Sequence, residues 1–200
     1  MAEPSVLLSQ VITADGILTR KRTGGAAGTY FERDDLRKVL AVARQHSERD
    51  WLLILTTVTH GLRVSEAIGL TAGDVRDGHL WVSRLKGSHR TCQPLIGEEK
   101  DALSAMSAGL PADGRLFPFT RQHFHRLFRR YCAMAGLDPI ASHPHSLKHS
   151  CARIVLENSG GDLLKTQKYM GHASITSTTQ YVQPTEREAC AVAAVALETI

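Results

Sequence analysis

The sequence predicts a mainly α fold with a small antiparallel β-sheet, an α+β class, and three observations carry that expectation. Apolar residues recur at helical spacing along several stretches, two short β-biased runs flank a single Lys-Gly pair, and glycines stand between the segments. A chain of 200 residues suits one main domain, on the scale of roughly 100 to 200 residues per domain.

Residues 1–30 have little periodicity and include "TRKRTGGAAGTY", which reads as a basic, strand-like or mobile N-terminal arm ending in a glycine-rich linker. From Glu32 the pattern changes. Leu36, Val39, Leu40 and Ala43 fall at i, i+3, i+4 and i+7, the signature of an amphipathic helix. A second helix covers "RDWLLILTTVTH", apolar almost all round and hence central, and Gly61 ends it where a left-handed turn favours glycine. "RVSEAIGL" forms a short third helix. "HLWVSRLKGSHRTCQPL" then reads as two strands of a hairpin around Lys86-Gly87.

Helices resume over 97–108 and 121–135. The second places Phe124, Leu127, Phe128 and Tyr131 on one face and His125, Arg126, Arg129 and Arg130 on the other. Three more helices fit 145–157, 162–170 and a short turn before Tyr181, with Gly160-Gly161 and Gly171 as breaks. The tail "ACAVAAVALETI" is apolar on nearly every face through Leu197, so it must be covered by its own domain or by a neighbour.

Composition narrows the function classes. No apolar run approaches the ~20 residues that cross a bilayer, and Glu3, Gln10 and Asp15 interrupt every candidate secretory core, so the expected location is the cytoplasm, with no membrane partner. Cys92, Cys132, Cys151 and Cys190 are scattered without a C-x-x-C pair, which argues against a disulfide framework and a cysteine-based zinc site. A net charge of +4 is only a weak pull towards a polyanion. The placement of the cations is more informative.

The stretch 143–182 concentrates polar groups: His145, Lys148 and His149 on one helix, His172 after Gly171, then Tyr181. A metal site is the first alternative, because His145 and His149 stand at i, i+4. The protease motif of that spacing needs glutamate after the first histidine, and here it is Ser146; no third ligand completes a set, so neither metal nor other cofactor is expected. A basic solvated helix face is the plainer alternative, and it leaves Arg63, Lys86, His172 and Tyr181 unexplained. Taken together, these residues suit phosphoryl transfer without a metal. Charge builds on the nonbridging oxygens of a phosphodiester under attack, and preorganised cations and N–H groups stabilise it. Arg63, His145, Lys148 and His172 are such donors, Tyr181 is a nucleophile that stores the bond as an ester, and Lys86 is an acid for the leaving oxygen.

In "THGLRVSEAIGL", "RLKGSHRTCQPL", "PHSLKHS", "YMGH" and "TTQYV", in that order and at those separations, the chain resembles the tyrosine recombinases, the integrase family of site-specific DNA recombinases. The resemblance spans roughly residues 30–185 and implies the tyrosine recombinase catalytic-domain fold over 31–185, between the basic arm 1–30 and a C-terminal tail helix 186–200 that makes a subunit contact. It implies that Arg63 and His172 bind the scissile phosphate, Lys86 protonates the leaving 5′ oxygen, His145 assists phosphate binding or proton transfer, and Tyr181 forms the 3′-phosphotyrosyl link. Glu66 would orient the site and His149 would support it from behind. Arg126, Arg129 and Arg130 would touch DNA in or beside the major groove, and Lys21 and Arg22 would track phosphates.

Two departures stand out. The family usually has arginine three residues after the first histidine of this helix, where this chain has Lys148, which keeps the charge and loses the two-pronged fork. The short stretch before the first helix makes the chain resemble single-domain members, such as those that invert fimbrial promoters. The expected function is a metal-independent recombinase of a mobile element, acting on duplex DNA with specific recombination sites. It would self-associate to a tetramer there, with accessory DNA-bending proteins as partners and a nucleoid-associated location. The alternative is a sequence-specific DNA-binding or architectural protein on the same fold, with catalysis weakened by Lys148; a type IB topoisomerase shares the chemistry.

Overall fold

The computed structural model describes residues 11–12, 18–19, 30–85, 88–139 and 142–179. In the arm, β1 (Val11–Ile12) and β2 (Leu18–Thr19) pair antiparallel. The helical frame begins with α1 (Arg33–His46), which buries Leu36, Val39 and Ala43; Asp34 and Asp35 in its first turn and Arg44 and His46 in its last suit the helix dipole. Ser47 accepts from the Asp50 amide and starts α2 (Glu48–Thr59). Trp51, Leu52, Leu53, Ile54 and Val58 are all buried, and α2 packs against α1, α3, α4 and α6, which is the central place its apolar circumference demands.

After α3 (Val64–Ala67) and one 3-10 turn comes a three-stranded antiparallel sheet, ordered β3 (Val75–Arg76), β4 (His79–Val82), β5 (Thr91–Pro94). The sequence reading contained only the last two strands. The first is tied to β4 by Asp77 and Gly78, both at positive φ (52° and 70°), the Asp-Gly pair of a tight hairpin. By contrast, residues 83–90 between β4 and β5 are too many for a two-residue turn, and Lys86 and Gly87 in that connection lie outside the described residues.

The remaining helices, α4 (Gly97–Ala108), α5 (Arg121–Met134), α6 (His145–Asn158), α7 (Leu163–Met170) and α8 (Thr176–Thr179), match the expected spans to within a residue or two. The main core holds Leu103 of α4, Phe124, Leu127 and Phe128 of α5 and Leu147 of α6 together with Phe31, Phe117 and the apolar residues of α2, while Met170 of α7 packs in a second, smaller cluster with Cys151 and Ala152 of α6. Tyr131 of α5 donates to buried Asp50 at 2.9 Å, and the Phe31 amide donates to Ser150 of α6 at 2.7 Å. No helix among the described residues is long and apolar enough to cross a membrane. Tyr181, Lys21, Arg22 and the tail 186–200 also lie outside the described residues.

Candidate active site

The site is built on the C-terminal end of α2, where helix carbonyls run out of internal partners. Thr59 O accepts from the Tyr169 hydroxyl at 2.8 Å, His60 O from Arg84 Nη2 at 2.9 Å, and Gly61 O from both Arg84 Nη1 at 3.1 Å and Lys148 Nζ at 2.9 Å. Two buried cations are therefore held at the negative end of a helix dipole. Gly61 makes this packing possible: its φ is +58°, and a Cβ there would lie 2.6 Å from Met170 Cε of α7.

Two residues further on, Arg63 opens α3, and Glu66 folds back onto it. The Glu66 carboxylate is buried and accepts four N–H groups: the Arg63 amide and Nη1, each at 2.8 Å, the Leu85 amide at 3.0 Å and Arg84 Nη1 at 3.3 Å. Burial by itself would raise its pKa. The amide bonds from Arg63 and Leu85, the Arg63 side chain and the Arg84 cation outweigh that and hold the carboxyl below its ordinary value. Arg63 also reaches Ser88 Oγ at 3.3 Å, so the carboxylate is tied directly to the start of α3 and to Arg84 and Leu85, and through Arg84 and Arg63 to the end of α2 and to Ser88.

Lys148 is buried at 3% exposure, so the solvated-face reading fails for it. Burial, then the neighbouring Arg84 cation, pushes its pKa down to about 8, with Glu66 opposing. His145, at the exposed start of α6, is held below its ordinary value by partial desolvation and then by Lys148, His143 and Arg63. Its ring stands edge-on to His149 with centroids 4.5 Å apart, and His149, pressed by burial and then by His145, drops to about 4.

His172 approaches from α7. Gly171 turns the chain at φ +65°, and a Cβ there would meet His89 O at 2.8 Å, so only glycine lets this turn press on the β4–β5 connection. The His89 amide donates to Gly171 O, and His172 Nδ1 lies 2.9 Å from the hydroxyl of buried Thr178. Burial, then Lys148, Arg63 and Arg84, lowers the His172 pKa to about 4, so the ring is neutral near pH 7. The structure thus brings together Arg63, Glu66, Lys148 and His172, with His145 and His149 beside them. That cluster offers N–H donors to an oxyanion. Among the described residues no group of three or more His, Cys, Asp or Glu is placed to hold a metal ion.

Arg126, Arg129 and Arg130 lie on the exposed face of α5, and no ion pair joins them to a carboxylate among the described residues. Sequence reasoning missed Arg84, His60, Gln93 and Thr178. Arg84 was findable: it continues the inward register of Leu80 and Val82, where a cation must have partners. His60 and Gln93 gave no local sign; ring and amide meet only after folding, with His60 Nδ1 3.0 Å from Gln93 Oε1. His60 Nε2 is 3.1 Å from Glu99 Oε1, an ion-pair distance that falls outside hydrogen-bond geometry.

The model of the Phage integrase family matches residues 29–188, most of the chain and every element of the site. The chain belongs to the phage integrase family. Among the relatives of this integrase-family chain, Tyrosine recombinase XerD of Xanthomonas axonopodis pv. citri is 38% identical over 155 residues, covering 66% of this chain and 50% of the relative. Type 1 fimbriae regulatory protein FimB of Escherichia coli K12 is 31% identical over 166 residues, covering 76% and 82%. The chain spans about half the length of its XerD relatives. The integrase fold is shared with the XerH site-specific recombinase bound to difH substrate (TM-score 0.69, 20% identity, 90% of this chain and 58% of that one). It is shared too with the catalytic domain of bacteriophage HP1 integrase (TM-score 0.60, 24% identity, 82% and 93%).

Proposed function

We propose that this chain cuts and rejoins duplex DNA at specific sites through a 3′-phosphotyrosyl intermediate, as a metal-independent site-specific recombinase. The supporting observation is the convergence of Arg63, Lys148 and His172, with His145 beside them, around the Glu66 carboxylate in a chain of the integrase family. Arg63, still partly exposed at the side chain, and His172 bind the nonbridging oxygens; Lys148 supplies a fixed positive charge behind them. Tyr181 attacks phosphorus through its phenolate oxygen, the P–O bond to the 5′ oxygen breaks, and Lys86 gives that oxygen its proton. Attack by another strand's 5′ hydroxyl reverses the steps and frees Tyr181.

Residues 31–185 form the catalytic domain in this reading, Lys21 and Arg22 track phosphates, and Arg126, Arg129 and Arg130 contact DNA. The tail 186–200 links subunits of a tetramer assembled on DNA, with accessory DNA-bending proteins directing it in the cytoplasm. A second reading, DNA binding with weakened catalysis, draws on Lys148, whose amine already donates to Gly61 O.

A suicide substrate decides between them: a duplex selected by the protein from a randomised pool, nicked beside the cleavage position, incubated in EDTA and resolved by denaturing electrophoresis. The recombinase reading expects a covalent protein–DNA band with and without EDTA. Saturated binding with no such band supports the second reading. Loss in EDTA that magnesium or zinc restores contradicts metal independence.

A further inference from the structure

Arg84 sits where a cation is least welcome. It follows β4 on the inward register of Leu80 and Val82, and its side chain is 0% exposed. A charge in that position is sustained only by a full set of partners. A guanidinium has five N–H donors in a planar fork, and this one meets five acceptors. Nε reaches Thr91 Oγ1 at 3.1 Å, Nη1 reaches Gly61 O at 3.1 Å and Glu66 Oε2 at 3.3 Å, and Nη2 reaches His60 O at 2.9 Å and Gln93 Oε1 at 3.3 Å. Enclosed and fully engaged, it has neither exposure nor a spare donor with which to touch a phosphate.

Its partners are the parts on which the site depends. The two carbonyls close α2, immediately ahead of Arg63. Glu66 holds the Arg63 guanidinium and the Leu85 amide on its other lone pairs. Gln93 donates to Tyr169 O on α7, two residues before Gly171. We infer that Arg84 is a positioning residue for strand cleavage, its buried fork locking the end of α2 to Glu66 so that the Arg63 guanidinium and the Leu85 amide stand in one fixed frame.

This inference rests on the recombinase reading for its effect on rate and on geometry alone for the frame itself. A lysine at this position keeps the charge but gathers its donors at one point, and so cannot span carbonyl, carboxylate and amide acceptors together. A displacement of about 1 Å at a site of this kind costs on the order of 100-fold in rate. Arg84→Lys is therefore expected to form covalent complex on the nicked duplex about 100-fold more slowly, with its DNA dissociation constant within about threefold of wild type.

The paired measurement uses the free protein. Amide hydrogen exchange of Arg63 and Leu85 should accelerate at least about tenfold in Arg84→Lys, while the amides of α5 keep wild-type protection. Arg84→Met, which removes the charge as well, should show both effects more strongly; if it does not fold, Arg84→Lys carries the test. Wild-type cleavage by Arg84→Lys, or unchanged exchange at Arg63 and Leu85, overturns the inference. Exchange loss spread evenly over the molecule also overturns it, since that marks a general packing role. Absence of covalent complex from the wild-type protein counts against the recombinase reading instead, and the exchange measurement still decides the frame.

Discussion

The chain carries arginine and lysine in two opposite settings. At the end of α2, Arg84 and Lys148 are buried against fixed carbonyls and the Glu66 carboxylate, whereas Arg126, Arg129 and Arg130 on α5 stand exposed. Water and salt screen the second group strongly and the first hardly at all. A buried, fully bonded cation fixes geometry before any ligand arrives; an exposed one acts through long-range attraction and by touching a phosphate. The two groups should therefore separate cleanly in experiment, the first governing the rate of chemistry and the fold, the second governing affinity and its salt dependence.

Glu66→Gln should break the first setting most severely. The amide would present two donors where four N–H groups already converge, and it would leave Arg84 buried without its counter-charge. Denaturant unfolding should show a stability lower by about 3 kcal/mol, and covalent-complex formation should slow on the order of 100-fold. A variant with wild-type stability and rate would show that the buried cluster is incidental.

The triple substitution of Arg126, Arg129 and Arg130 by alanine tests the other setting. Binding should weaken, and the slope of log affinity against log salt should shrink by roughly 0.9 for each phosphate that is no longer neutralised, while cleavage at saturating protein stays near wild type. Unchanged affinity and slope would make the α5 face a solvated surface. The smallest effect sharpens the contrast through pH. Burial, followed by neighbouring positive groups, lowers both His149 and His172 to about 4, below the ordinary 6.5. Between those values the unfolded chain binds protons that the folded one refuses, so thermal stability should fall as pH drops from about 6.5 towards 4. That fall should be smaller in a His149→Asn/His172→Asn double variant, which keeps only the contributions of His143 and His145, both also held below the ordinary value.

Much of this was legible beforehand because helical periodicity is local. The face Phe124–Leu127–Phe128–Tyr131 and the all-round apolarity of α2 each announce their burial, and Gly61 and Gly171 sit where positive φ requires glycine. The third strand was missed although Asp77-Gly78 is a hairpin signal, because strands as short as Val75–Arg76 have too few residues to show alternation. Arg63, Glu66, Lys148 and His172 come together as a set that family spacing implied. Their setting was not legible: a basic, solvated helix face was the plainer reading for Lys148, while the end of α2 buries it. The inward register of Leu80 and Val82 marks Arg84 as buried, but not its partners at His60, Gly61, Glu66, Thr91 and Gln93, which the fold gathers from several elements.

In the proposed reaction this cationic frame serves a tyrosine that becomes covalently joined to DNA. Mass spectrometry of the protease-digested adduct from wild-type protein on the nicked duplex tests it most directly. The expected product is a nucleotide-bearing peptide linked through Tyr181 to a 3′ phosphate, with no adduct from Tyr181→Phe, which should bind the same duplex nearly as tightly. An adduct at another residue, a 5′ linkage, or an undiminished adduct in Tyr181→Phe would contradict it.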